Sequence, residues 1–209
     1  MNIAVYSGSF NPLHKGHEAI IRFLTQEAGF DLVYLVVTPQ NPFKQAHSLP
    51  AGQDRFDAAV AAIARHPDLK VVIQDIELRM TPPQYTIRTL DALREREPEN
   101  TFTLIIGADN LANFAGWRYH ERILLEYGVA VFPRKGYHRG HARARLLREN
   151  PAYRIRLLKA PLVTISSTEI RQGLAAGRDM SRWLMYQFIR SKNEQSHNNR
   201  RRNQRTQGL

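Results

Sequence analysis

The chain has 209 residues, enough for one α/β domain with a substantial core, and a net charge of +11 from 30 basic and 19 acidic residues. It contains no cysteine, which excludes disulfides, thiolate-bound metals and a cysteine nucleophile. No apolar run approaches the roughly 20 residues of a membrane span, and the first residues lack a signal-peptide pattern, so we expect a cytoplasmic protein.

Strand-like and helix-like patterns alternate along the chain. Short apolar runs predict six strands, at Ile3–Ser7, Leu32–Thr38, Leu69–Gln74, Phe102–Ile106, Val129–Phe132 and Leu162–Ile165. Helical spacing of apolar residues predicts helices at Glu18–Gln26, Asp54–Arg65, Ile87–Arg96, Tyr119–Tyr127, Arg139–Glu149, Thr168–Ala175 and Ser181–Arg190. The alternation predicts an α/β fold, a Rossmann-like doubly wound and mostly parallel sheet with helices on both faces.

We predict one domain over residues 1–190 and a basic, disordered tail over residues 191–209. From Arg190 onward the chain has six basic residues against one acidic residue, is rich in Asn, Gln and Ser, and has almost nothing apolar to bury. A second basic stretch runs from Arg134 to Arg148. Basic runs can bind nucleic acid, but the tail lacks the aromatic residues that stack on bases, so this is the minor alternative.

The most informative segment is YSGSFNPLHKGH, which begins at Tyr6 between the first predicted strand and the first helix. Such a loop lies at the carboxyl end of the strands, where open α/β sheets bind ligands. Its backbone N–H groups and the positive end of the following helix are suited to phosphate, and two histidines flank it. The candidate phosphate-binding residues here are Gly8, Ser9, Phe10, His14 and His17.

Two long loops follow the second and third predicted strands, at Pro39–Gly52 and Asp75–Thr86. Both emerge at the same edge of the sheet as the histidine loop. Long loops gathered at the ligand edge are typical of substrate-binding loops.

Two further segments carry candidate ligand-binding residues. Gly107 and Asp109 follow the fourth predicted strand, where a carboxylate can accept hydrogen bonds from ribose hydroxyls. Trp117 follows soon after and can stack on a planar ring or pack in the core.

The second phosphate motif is ISSTEIR, which begins at Ile165. Its hydroxyl residues, Ser166 and Ser167 among them, can cap the next helix and present N–H groups to phosphate. Arg171 falls one turn into that helix and can bind phosphate oxygens as a fork.

These two motifs resemble the GSFNPxHxGH and ISSTxIR signatures of the nucleotidyltransferase superfamily. From Met1 to about Arg190 the chain resembles one branch of it, the bacterial nicotinate-nucleotide adenylyltransferases. The resemblance makes His14, His17 and Arg171 catalytic. It implies an ATP site formed by Gly8, Ser9, Phe10, His14, His17, Gly107, Asp109, Ser166, Ser167 and Arg171, and a nicotinate mononucleotide site formed by Lys44, Tyr85, Thr86, Trp117 and Arg134.

The reaction implied is transfer of the adenylyl group of ATP to nicotinate mononucleotide, giving nicotinate adenine dinucleotide and pyrophosphate in NAD biosynthesis. Mg²⁺ would arrive with ATP, and no residue is assigned as a metal ligand. The alternatives are a sister adenylyltransferase for nicotinamide mononucleotide or phosphopantetheine, a class I aminoacyl-tRNA synthetase, and a nucleotide- or RNA-binding protein. The sequence differs from the pattern of this branch at Arg88 and at Arg134-Lys135-Gly136. The residue types alone leave open whether nicotinate or nicotinamide mononucleotide is the acceptor.

Overall fold

The structure, a computed structural model, describes residues 1–39 and 51–185. Lys44 and the tail over residues 191–209 lie outside them. The sheet has six strands, β1 Asn2–Gly8, β2 Leu32–Val37, β3 Val71–Gln74, β4 Thr101–Gly107, β5 Val129–Phe132 and β6 Ile155–Leu157. All neighbours pair in parallel, in the order β3-β2-β1-β4-β5-β6. This is the doubly wound order, so the predicted fold class is confirmed.

Seven α-helices occupy the described residues, several of them short. They are α1 Lys15–Gln26, α2 Gly52–Ile63, α3 Thr86–Arg96, α4 Ala108–Ala112, α5 His120–Arg122, α6 Arg139–Glu149 and α7 Ser167–Ala175. None of the helices in the described ranges is long and apolar enough to cross a bilayer.

Side chains of the central strand alternate between two cores, one on each face of the sheet. Ala4 and Tyr6 of β1 point into one core, and Ile3 and Val5 point into the other. The first core is covered by apolar residues of α1 and α2, and the second by those of α3 and α6. Helices therefore lie on both faces, and both faces of the parallel strands are buried.

The sixth strand was predicted in the wrong place. It is Ile155–Leu157, whereas Leu162–Ile165 lies outside the sheet. The strand is only three residues long, and its central residue, Arg156, is exposed, so its pattern is too short and too polar to stand out. Because, within residues 1–39 and 51–185, β6 pairs on one side only, with β5, it tolerates an exposed charged residue.

Two predicted helices also differ from the structure. The predicted helix Tyr119–Tyr127 is the three-residue α5 followed by a π-helical turn at Ile123–Tyr127. Of the predicted helix Ser181–Arg190, the described part contains a 3₁₀ turn at Ser181–Trp183. Helical spacing of apolar residues does not separate these variants, since they share similar periods over so few residues.

The basic stretch between Arg134 and Arg148 has a part in the fold. Arg139 donates to the carbonyl oxygens of Val131 and Leu158, Arg143 donates to that of Ile155 at 3.0 Å, and Arg145 donates to that of Ala112 at 3.0 Å. These guanidinium groups bind α6 to the main chain beside it. Three arginines of this stretch therefore take part in internal contacts, while Arg143, Arg145 and Arg148 keep exposed surface.

Candidate active site

The two motifs meet at the carboxyl edge of the sheet, beside the point where the strand order reverses. β1 pairs with β2 on one side and with β4 on the other, and Gly8 and Gly107 end β1 and β4. In doubly wound sheets the chain leaves two such strands toward opposite faces, which opens a crevice between the loops. The candidate site occupies this edge.

The two histidines form the start of α1. The His14 side chain caps the helix, since its Nδ1 accepts a hydrogen bond from the Gly16 N–H at 3.1 Å. The Nδ1 of His17 in turn accepts one from the His14 N–H at 3.1 Å, and the two rings stack with centroids 3.7 Å apart. Because both Nδ1 atoms act as acceptors, the neutral rings carry their proton on Nε2. The two hydrogen bonds to Nδ1 thus determine that each neutral ring is protonated on Nε2.

Both histidines are held in the neutral form. His14 is 3 % exposed, and burial, followed by the charge of Arg134, lowers its pKa to about 4. Burial also holds the pKa of His17 well below its usual value, with further lowering by His14 and Arg134. Near pH 7 each ring therefore presents an Nε2–H group as a neutral hydrogen-bond donor.

The ISSTEIR motif is bound directly to the histidine loop. Ser166 caps α7 by accepting a hydrogen bond from the Glu169 N–H at 3.2 Å. Ser167 Oγ donates to the Pro12 carbonyl at 3.0 Å, and Arg171 Nη1 donates to the Asn11 carbonyl at 2.7 Å. The structure thus brings together two motifs from opposite parts of the chain. Arg171 lies beside the loop of residues 9–14 between β1 and α1, which we call the phosphate loop after its predicted role.

Gly16 is required by packing of the protein itself. A Cβ at this position would collide with the Val163 side chain and lie 3.0 Å from the His14 ring. The close approach therefore involves the extended segment before α7.

Gly107, Asp109 and Arg134 form a compact group at the end of β4 and β5. A Cβ at Gly107 would collide with the Asp109 carboxylate and lie 3.3 Å from the Arg134 side chain. The Nε of Arg134 is 3.7 Å from Oδ1 of Asp109, and both atoms are buried with no hydrogen-bond partner among the described residues. Since Arg134 also lowers the pKa of both histidines, its charge acts on His14 and His17 as well as on Asp109.

The side chain of Phe10 lies in the core. It is 5 % exposed, and its ring packs edge-on against Tyr6 and His17, with centroids 5.5 and 5.1 Å away. Its backbone has a positive φ of 43°, which a non-glycine residue rarely adopts. The Phe10 ring is therefore part of the core and packs against the His17 ring, which leaves only its backbone for the predicted ligand contact.

The loop before α3 contains the predicted acceptor-binding residues Tyr85 and Thr86. Tyr85 precedes α3 and packs with Trp117 against the second core. Within the described residues no side chain caps α3, and the Arg88 N–H donates to the Tyr85 carbonyl at 2.9 Å, so the N–H groups that remain available in the first turn are those of Thr86 and Ile87. Arg88 donates to the carbonyl oxygens of Thr81 and Pro83 at 2.8 and 2.7 Å, and so braces the loop.

Trp117 is half-buried and packs on Phe114, with ring centroids 5.0 Å apart and planes tilted by 33°. It joins the core on one side and keeps part of its surface free. The two sequence interpretations of this residue, core and stacking platform, are therefore compatible.

A buried carboxyl, that of Glu77, lies in the segment between β3 and α3. Glu77 is 3 % exposed and accepts a hydrogen bond from Thr89 Oγ1 at 2.8 Å, which connects the loop to α3. Burial raises the pKa of Glu77 to about 7. An isolated carboxylate is costly to bury, so protonation relieves the cost.

We expect Glu77→Gln to raise the melting temperature at pH 8 and to have little effect at pH 4.5. A carboxyl whose pKa is raised on folding stabilises the protein most below its unfolded value near 4.5, and that contribution is lost as pH rises toward 7. The full loss is at most about 3 kcal/mol. Melting temperatures of both proteins between pH 4.5 and 8 test this.

Comparing the melting temperatures of the wild-type protein and Glu77→Gln separates the contribution of Glu77 to stability from that of the histidines. The lowered pKa values of the histidines contribute stability that is lost as pH falls below about 6.5, so their effect on stability has the opposite pH dependence. Both proteins retain the histidines and therefore this contribution. A constant difference in melting temperature across the pH range would contradict the raised pKa of Glu77.

One buried residue beside the phosphate loop, Arg55 of α2, is not among those that the sequence motifs predict. Its guanidinium donates to carbonyl oxygens of the loops that follow β1 and β2. A signal was present, since Arg55, Ala59 and Ala62 share helical spacing and all three are buried. A charged residue on a helix face whose other members are alanines indicates that Arg55 is buried for a specific contact.

A family model described as cytidylyltransferase-like matches residues 5–173. A protein of Cytophaga hutchinsonii is 42% identical over 171 residues, covering 82% of this chain and 84% of its own. One of Bacteroides fragilis is 38% identical over 180 residues, covering 86% and 85%. Both relatives carry the name probable nicotinate-nucleotide adenylyltransferase.

Among solved structures, the nicotinic acid mononucleotide adenylyltransferase of Plasmodium falciparum, complexed with NaAD, has the same fold. Its TM-score is 0.69 at 23% sequence identity, with 86% of this chain and 87% of that chain covered.

Proposed function

The chain belongs to the cytidylyltransferase-like family and, within it, to the nicotinate-nucleotide adenylyltransferases, and on that premise we propose the reaction that its site performs. It transfers the adenylyl group of ATP to nicotinate mononucleotide, in NAD biosynthesis. The observation that carries the proposal is the contact between the two phosphate motifs, which gathers two histidine donors, a helix N-terminus and Arg171 at one crevice.

The chemistry is an in-line displacement at the α-phosphorus of ATP. A phosphate oxygen of nicotinate mononucleotide forms the new P–O bond, the bond to the α–β bridging oxygen breaks, and pyrophosphate leaves with that electron pair. The attacking phosphate is already ionised near neutral pH, so no general base is required. The protein contributes alignment of the two phosphates and stabilisation of the charge that develops on the bridging oxygen.

The site residues divide between these two tasks. The Nε2–H groups of His14 and His17 donate to phosphate oxygens without adding charge, and Arg171 adds a positive charge from α7. Gly8, Ser9 and Phe10 offer backbone N–H groups, and Asp109 accepts from ribose hydroxyls. Further contacts proposed are Gly107, Ser166 and Ser167 with ATP, and Lys44, Tyr85, Thr86, Trp117 and Arg134 with the mononucleotide.

Enzymes of this family generally need a divalent metal ion, and we propose Mg²⁺ carried by ATP. Mg²⁺ keeps most of its ligands as phosphate and water oxygens and needs few protein ligands. The residues at the site fit an ion that takes its ligands mainly from ATP and water, since His14, His17 and Arg171 are hydrogen-bond donors suited to phosphate, and Asp109 lies 3.7 Å from the Arg134 guanidinium. When bound, the ion neutralises phosphate charge. Because the reaction draws on ATP, we propose that it takes place in the cytoplasm.

We expect the acid mononucleotide to be preferred over the amide by at least roughly tenfold in kcat/KM, as hydrogen bonds to charged groups differ from neutral ones by more than 1 kcal/mol. The start of α3 offers N–H groups and a positive dipole at Thr86, and Arg88 adds a charge to the same loop. The test offers ATP and Mg²⁺ with nicotinate mononucleotide, nicotinamide mononucleotide or phosphopantetheine, and follows pyrophosphate release.

Arg88→Gln provides the matched control for this preference. The glutamine amide retains a donor for the loop carbonyls but removes the charge, so the acid-to-amide ratio should fall while turnover of the amide changes little. An equal or higher kcat/KM for nicotinamide mononucleotide in the wild-type protein would assign the enzyme to that acceptor, and turnover of phosphopantetheine alone would assign it to the sister branch.

A further inference from the structure

Arg55 is a buried arginine in the first turn of α2, only 2 % exposed. Its Nη1 donates to the carbonyl oxygens of Ser9 and Thr38, both at 2.8 Å, and its Nη2 donates to that of Pro39 at 2.7 Å. Burial lowers the pKa of this guanidinium, which still remains charged near pH 7. One side chain thus binds the loops that follow two neighbouring strands.

The bond to Ser9 fixes the direction of one peptide in the phosphate loop. In a trans peptide the C=O and the following N–H point in opposite directions, so turning the Ser9 carbonyl toward Arg55 turns the Phe10 N–H away from it. Two later carbonyls of the loop are bound by α7, because Arg171 and Ser167 donate to those of Asn11 and Pro12. The loop is therefore held between α2 and α7.

The same arginine couples this loop to the next one. Thr38 and Pro39 follow β2, and the Thr38 N–H also donates to the Gly8 carbonyl at 3.0 Å. The chain continues from Pro39 into the segment where the sequence places Lys44. Burying a charged guanidinium in this way costs free energy. Hydrophobic side chains of similar volume often stabilise a fold equally well.

We propose that Arg55 is a positioning residue for adenylyl transfer: it orients the Ser9–Phe10 peptide toward the phosphates and aligns the phosphate loop with the loop after β2. This rests on the function proposed above. The role is exerted through the main chain of the two loops, so Arg55 itself does not touch the substrates. It makes α2 a third support of the phosphate site, beside α1 and α7.

The test compares Arg55→Lys and Arg55→Ala with the wild-type protein, using ATP, Mg²⁺ and nicotinate mononucleotide. Lysine keeps the charge but cannot bind three carbonyls with a planar fork. We expect kcat per folded molecule to fall at least tenfold in Arg55→Lys. We also expect guanidinium ion at millimolar concentration to restore part of the activity of Arg55→Ala, while methylammonium does not. The folded fraction is measured by circular dichroism at the assay temperature, so partial unfolding does not confuse the result.

Arg143→Lys is the matched control, since Arg143 also binds a main-chain carbonyl, that of Ile155 in β6, far along the sheet from the phosphate loop. It should lose melting temperature without losing kcat. Wild-type kcat per folded molecule in Arg55→Lys, or an equal loss of kcat in Arg143→Lys, would overturn the proposal. Failure of the proposed function looks different, because the wild-type protein would then bind ATP in calorimetry without transferring it to nicotinate mononucleotide.

Discussion

Replacing His17 by alanine is expected to lower kcat by at least about a hundredfold, the scale of removing one preorganised transition-state donor. The His17 Nδ1 is used by the His14 N–H, so the ring's remaining donor is Nε2–H, which we propose binds the phosphates where charge develops. Loss of the capping contact should also lower the melting temperature by roughly 2–4 °C. Steady-state pyrophosphate release and a thermal melt measure the two effects.

Two conservative variants separate catalysis from capping at His17. The asparagine carbonyl of His17→Asn can accept from the His14 N–H as Nδ1 does, but it has no donor at the Nε2 position. The amide of His17→Gln reaches that position but lacks the capping acceptor. We therefore expect His17→Asn to melt like the wild-type protein and fail in catalysis, and His17→Gln to keep more activity. Wild-type turnover by His17→Asn would refute the role assigned to Nε2.

Arg171→Ala is expected to lower kcat by roughly a hundredfold or more, since charged hydrogen bonds to a transferring phosphate are among the strongest contributions to such reactions. The guanidinium also supports the phosphate loop through the Asn11 carbonyl. Arg171→Lys keeps a positive charge without the planar fork and should be intermediate. Single-turnover rates with ATP bound at saturation measure the chemical step directly.

Ser167→Ala is the control for loop support. It removes the hydrogen bond to the Pro12 carbonyl, the second contact between α7 and the loop, and leaves the charge of Arg171 in place. We expect a loss of less than about tenfold, because a neutral hydrogen bond contributes about 1 kcal/mol. Equal losses in Ser167→Ala and Arg171→Ala would indicate that α7 acts through loop position alone.

Much of the fold could be predicted from the sequence because buried parallel strands appear as continuous apolar runs. The runs at Ile3–Ser7 and Val129–Phe132 became β1 and β5 almost unchanged, and the helical pattern at Arg139–Glu149 became α6. The setting of the first motif, between β1 and α1, could also be predicted, whereas for the second motif the start of α7 was predicted and the strand before it was wrong. Their mutual contact could not, since it depends on how α7 docks.

The errors and omissions have a common physical origin in tertiary contacts. β6 is defined by its pairing with β5 and by nothing distinctive in its own residues. The π-helical turn ends at Gly128, whose φ of 76° breaks the helix in a way that apolar spacing does not report. The role of Arg55 depends on carbonyl groups of other loops, to which the pattern of side chains is insensitive.

The junction between α7 and the phosphate loop also determines when activity appears while the protein is being made. Arg171 and Asn11 are 160 positions apart in the chain, so at 5–20 residues per second the ribosome makes the loop roughly 8–30 seconds before its arginine. A nascent chain that ends before residue 171 contains both histidines and most of the sheet, yet it has only half of the phosphate site. We therefore expect full adenylyl-transfer activity only after α7 has left the ribosomal tunnel and docked against the loop.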